Sequence, residues 1–285
     1  MLKLNRRKIE EIFFRTLMIV STLIVVGSLI LILATIVGRG MKSMNLSMLT
    51  KTSEGGFYLG KEGGVLNAIL GSFYLAGGAT LIAVILSLPI AMYLNMYAGR
   101  KSAFANFVRF SLDVLWGVPS IVYGAFAFTI MLRYGMGASL LAGMLTVAML
   151  ELPMMARGMD EVIRLVPQEL KDASYAVGAN RLETAMKVIF RQTLPALLTS
   201  VLLAFGRGIG DAASVLFTAG FTDSLPQSLS QPAATLPLAI FFQLGTPFPE
   251  VQNRAYASAL ILTTIILIIS ILVRLLTRWF NRNTV

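Results

Sequence analysis

The chain of 285 residues contains no cysteine and no histidine. Disulfides are excluded, as are thiolate nucleophiles, His-based triads and most zinc sites. Charge is sparse: Asp, Glu, Lys and Arg make up 13% of the residues, against 56% hydrophobic. Acids are scarcer than bases, 14 against 24, which leaves a net charge of +10. A basic excess can signal nucleic-acid binding. Here no nucleic-acid motif accompanies it, and the cations cluster between apolar runs, as the positive-inside bias of membrane proteins produces. One ATP-like motif fails inspection. Gly55 and Gly60-Lys61 match most of a P-loop, but Glu62 stands where Ser or Thr would hold magnesium, and no buried strand precedes it. The chain therefore shows no motor of its own.

Long apolar runs dominate what remains. Residues 16–38 carry no charge and suffice to span hydrocarbon. Their length exceeds a signal-peptide core, and no clear small-residue cleavage site follows, so they read as a retained helix. Further spans are expected at 67–97, 104–132, 137–155, 196–221 and 256–276, about six in all. With the N-terminus inside, the inner segments collect most of the Lys and Arg, among them Arg6, Arg7, Lys8, Arg100, Lys101, Arg157, Arg164, Lys171, Arg181 and Arg278. Both termini are thus expected on the cytoplasmic side of a multi-pass protein of the cell membrane. Residues 1–66 read as a basic tail, a first helix and an irregular outer loop. Residues 67–276 read as one compact transmembrane domain, and 277–285 as an inner tail. No internal repeat is evident. In the last outer segment, 222–254, the apolar piece 233–244 is too short to span and is expected to lie at the interface or dip in.

The polar stretch 167–195 reads as helix, glycine turn, helix. Pro167 suits the start of a helix and Gly178 its left-handed end. Asn180 and Glu183 have capping-box spacing. Leu182, Ala185, Met186, Ile189 and Phe190 recur at one-face spacing, and Leu194-Pro195 closes the unit. A bent pair of amphipathic helices on the inner side offers a docking surface for another protein.

Charges within spans are costly and tend to line bundle interiors or pathways. Arg207 lies about ten residues into its expected span, roughly 15 Å deep at the helical rise, with Asp211 four residues on and Gly206, Gly208 and Gly210 between. It reads either as a pathway cation or as the partner of Asp211 in a structural ion pair. Asp113 precedes Gly117-Val118-Pro119, where the helix either breaks into halves or kinks, with Asp113 capping freed amides. Glu151 is expected to pair with Arg157 or to reach the interface. Pro89 reads as a kink, and the Met residues as packing.

Asp172-Ala173-Ser174, Gly178-Ala179 and Leu194-Pro195 resemble the loop by which ABC importer permeases dock on their ATPases, with Asp172 and Ser174 in place of Glu and Ala. Residues 63–71, 117–124, 216–220, 231–237 and 247–250 are similar to the PstA-type permease family of phosphate importers. Gly210-Asp211-Ala212-Ala213-Ser214 departs from that family's usual Gly-Glu-Thr-Ala-Pro. The resemblance implies an all-α membrane fold, a type I ABC importer (MetI-like) core with an extra N-terminal helix, and a coupling loop within 157–195. It implies a non-catalytic subunit with no cofactor, ATP and magnesium being bound by partner ATPases. The implied partners are a PstC-type permease, two ATPase subunits, an extracytoplasmic phosphate-binding protein, membrane lipid and phosphate, which Arg207 would meet in transit. A sulfate or molybdate permease, or an ion-coupled carrier built on Asp113, Glu151 and Asp211, stays open beside it.

Overall fold

A computed structural model of the chain describes residues 6–54, 62–98 and 102–281. Gly55, Gly60 and Lys61 of the rejected P-loop lie outside the described residues, as do Arg100 and Lys101. The first helix, α1 (Arg6–Ser43), is longer than its uncharged run and lies almost wholly exposed. The described part of the segment after it holds more regular structure than its composition suggests. It contains α2 (Leu46–Thr50), capped by the Asn45 side chain, and a two-residue antiparallel pair, β1 (Ser53–Glu54) with β2 (Glu62–Gly63).

The centre of the bundle is α3 (Leu66–Met96), with Pro89 inside it. Then come α4 (Ala103–Trp116) and α5 (Ser120–Arg133), bent 97° from one another. The single span expected at 104–132 is therefore a broken one. Pro119 has no N–H to continue the ladder, and Gly117 resists helix weakly. The Leu115 carbonyl, which Pro119 cannot reach, accepts the Val118 N–H at 3.1 Å and the Tyr123 hydroxyl at 2.9 Å. Next, α6 (Leu140–Arg164) packs along α3, the most extensive helix pairing in the chain. Its close approach comes from small buried residues, Ala76, Ala79 and Ala83 on α3 and Ala148 and Ala156 on α6.

The polar stretch forms α7 (Gln168–Ala176), a turn at Gly178, and α8 (Arg181–Glu183). A π-helical turn, Thr184–Ile189, runs from α8 into α9 (Phe190–Gly210). Leu194-Pro195 does not close this unit, because α9 continues through both. The π turn also dephases the expected apolar face: Ala185 and Ile189 are buried, while Leu182 and Met186 face out. At its far end α9 stops at Gly210, eleven residues short of the expected 221. Residues 211–220 fold as turns, and α10 (Leu236–Leu244) tucks its first turn inward, the Leu236 N–H donating to Ser72 Oγ at 2.8 Å. The last helix, α11 (Pro249–Asn281), runs antiparallel to α1, Arg39 reaching Tyr256 at its start. Among the described residues, five helices are long and apolar enough to cross a membrane, six if α4 and α5 count as one span.

Candidate functional site

The 167–195 segment, the candidate docking surface, is shaped by three local devices. Gly178 takes φ +87°, a conformation L side chains rarely adopt, and turns the chain between α7 and α8. Asn180 Oδ1 accepts from the Glu183 N–H at 2.9 Å and Glu183 Oε2 from the Asn180 N–H at 3.1 Å, closing the capping box. Ser174 Oγ lies 2.9 Å from Thr184 Oγ1, buried, and joins the two arms. Asp172 and Ala173 are exposed, Asp172 accepting from Gln168, and Gly178 is exposed beside half-buried Ala179. The apolar side chains at the tip face outward: Val177 is 85% exposed and Leu182 61%. Leu194 is half-buried and Pro195 buried, so these two shape the helix behind the tip and not its surface.

Beside the segment, the C-terminal ends of α3 and α6 and the middle of α4 are tied by one buried carboxylate. Asp160, fully buried, takes Arg109 Nε at 2.8 Å and Nη2 at 2.9 Å, Asn95 Nδ2 at 2.8 Å and Arg157 Nη1 at 3.1 Å. Asp113 joins this network from its half-exposed edge, accepting Arg157 Nε at 2.6 Å. Its carboxylate is bonded to a side chain across the bundle and caps no amide at the break. The sequence reading passed over Asp160. The Arg157, Asp160, Glu161 spacing foretells a helical pair, but Arg109 lies 51 residues away and nothing local points to it.

A second polar centre sits where α9 ends. Glu151 is completely buried, and neither carboxylate oxygen has a hydrogen-bond partner among the described residues. Thr80 Oγ1, equally buried and unbonded, belongs to the same surroundings. Gly208 leaves room for this carboxylate, since a Cβ there would collide with Glu151 Oε1. Glu151 thus does not pair with Arg157, whose partners are Asp113, Asp160 and Glu161. Arg207 stands in the last turn of α9, half-buried, its Nη1 3.7 Å from Met154 Sδ. It makes no ion pair with Asp211. The helix ends at Gly210, so i,i+4 geometry no longer holds, and the Asp211 carboxylate instead accepts the Ser214 N–H at 2.9 Å and the Ser214 hydroxyl. Among the described residues, Arg207 has no carboxylate within ion-pair distance, and Glu151 and Tyr123 share its field. A partly accessible guanidinium without a fixed partner can receive an anion and release it.

Residues 87–285 match the family described as binding-protein-dependent transport system inner membrane component. The phosphate transport system permease protein PstA of Haemophilus influenzae is 32% identical over 269 residues, 94% of each chain. That of Yersinia pestis is 36% identical over 248 residues, 87% of this chain and 83% of the relative. Among solved structures, an inward-facing MetNI methionine ABC transporter superposes with a TM-score of 0.61 at 17% identity, over 75% of this chain and 94% of that one. Both the family match and the near full-length similarity meet in the helical core that carries the docking segment and Arg207, and the chain belongs to the binding-protein-dependent transport system inner membrane components.

Proposed function

We propose that this chain is one permease half of an ATP-driven phosphate importer of the cytoplasmic membrane. The observation that carries the reading is the similarity, over 94% of its length, to a phosphate permease. A homologous PstC-type permease would complete the pathway, and an extracytoplasmic phosphate-binding protein would deliver the substrate. Two ATPases would dock on the 167–195 segments of the two halves and bind ATP and magnesium themselves. The chain makes and breaks no covalent bond. Arg207 offsets the charge of phosphate in passage, weakly enough for release.

Coupling is a matter of mechanical continuity. Force on the exposed tip, Val177 and Leu182, passes through the Ser174–Thr184 contact into the π turn and on into α9, at whose far end Arg207 stands. Closure of the ATPases would thereby move the turn of α9 that carries the cation.

The test is phosphate uptake into proteoliposomes holding this chain with its permease, ATPase and binding-protein partners. Uptake should require ATP, resist excess sulfate and molybdate, and collapse when Gly178 is replaced by Phe. Uptake by this chain alone, indifferent to ATP and to Gly178, would overturn the reading and favour a carrier built on the buried carboxylates.

A further inference from the structure

Between the docking segment and the C-terminal ends of α3 and α6 with the middle of α4 lies a cavity of about 800 Å3. Arg109, Arg164, Lys171 and Arg181 line it, and among the described residues no carboxylate does. Arg109 is committed to Asp160. Arg164 and Arg181 are not: among the described residues neither has an acid within ion-pair distance. The Arg181 guanidinium lies 5.9 Å from the centre of the Tyr97 ring, which steadies it at the cavity wall. Cations gathered round a concavity concentrate anions, and guanidinium groups fit phosphate oxygens in pairs.

We propose that this cavity binds a phosphate-bearing anion and that the bound anion bridges α6, through Arg164, to the docking segment, through Arg181. A ligand held by both walls favours the arrangement in which they stand together. Phosphate accumulating on the docking side then fixes the segment against the bundle and slows further uptake. The consequence for transport rests on the function proposed above, whereas the binding does not. A free phosphate ion and the headgroup of an anionic lipid present the same chemistry to this site.

The test uses the full chain in nanodiscs of phosphatidylcholine, titrated with radiolabelled inorganic phosphate. Saturable binding is expected, weakened about tenfold or more in the double variant Arg164→Gln with Arg181→Gln and retained when both are changed to Lys. In the unsubstituted chain, phosphate should protect Arg164 and Arg181 from phenylglyoxal, read residue by residue by mass spectrometry. Protection by phosphatidylglycerol in the discs, without phosphate binding, assigns the same site to a lipid headgroup. If neither phosphate nor phosphatidylglycerol protects these two arginines, the site is overturned, whether or not the variants fold. Protection that persists when the assembled transporter moves no phosphate would defeat the transport reading alone.

Discussion

Gly208 and Glu151 occupy the same space by turns. A methyl group at 208 would collide with the carboxylate. Overpacking of this kind costs about 1–3 kcal/mol, more than the gain of up to about 1 kcal/mol that Ala brings to a helix interior. Gly208→Ala should therefore lower the thermal unfolding temperature in detergent. After Glu151→Ala only the close contact with Val147 Cγ1 at 3.1 Å remains, and the same Gly208→Ala change should cost less. An equal loss in both backgrounds would show that the glycine serves something other than that carboxylate. Glu151 also marks where local reading stops. The sequence declares that an acid lies inside a span, and Arg157, one turn and a half away, is its obvious neighbour. Which face of α6 turns inward depends on α3 and α9, and so does the fate of the carboxylate. Arg207 and Asp211 fail as a pair for a similar reason: i,i+4 spacing means contact only while the helix lasts, and α9 ends between them.

Among the elements, the docking segment was the most legible because its signals are local. A proline, a glycine and a capping pair act within a few residues of themselves, and the structure places α7, the turn and α8 on them. The π turn was not legible, since it changes the helical phase without changing composition. Nothing lies within 4 Å of a Cβ at 178, so the demand there is purely one of backbone conformation. Gly178→Ala should cost about 1–2 kcal/mol in the folded segment and reduce ATP-driven uptake. Gly178→Asn should keep most of the uptake, because Asn tolerates left-handed geometry; equal loss with Asn and Ala would place the requirement in the docking surface instead. The junction of α3, α4 and α6 makes a different demand. Asp160 is buried and Arg109 nearly so, whereas Asp113 is 48% exposed. Asp160→Asn strands the buried Arg109 guanidinium, Arg157 keeping Asp113 and Glu161, and is expected to cost about 3–5 kcal/mol. Asp113→Asn should cost less than about 1 kcal/mol. Thermal unfolding of the two variants side by side checks the order, and a reversal would mean that the exposed edge holds the junction.

The whole molecule has a polarity that three separate contacts agree on. Arg39 near the end of α1 meets Tyr256 near the start of α11, so the N-terminal end of α1 and the C-terminal end of α11 share one side. Thr199 Oγ1, in the middle of α9, lies 3.0 Å from Thr277 Oγ1, and Gly210 at the end of α9 faces Ile266. The two helices therefore run antiparallel, and the start of α9 lies toward that end of α11. The docking segment leads directly into α9, so it stands on the side of both ends. The excess of Lys and Arg on that side makes it the expected cytoplasmic side. A chain with no cysteine is well suited to proving this, because any thiol introduced is the only one present. Val177 at the docking tip and Ser228 in the opposite loop are both exposed and far from the packed core. In intact cells stripped of their outer envelope, a membrane-impermeant maleimide should label Ser228→Cys and spare Val177→Cys until the membrane is opened. The opposite pattern would put the docking segment outside, where no ATPase could reach it. Labelling of both before opening would mean that residue 177 and residue 228 face the same compartment, which a crossing by α9 between them does not allow.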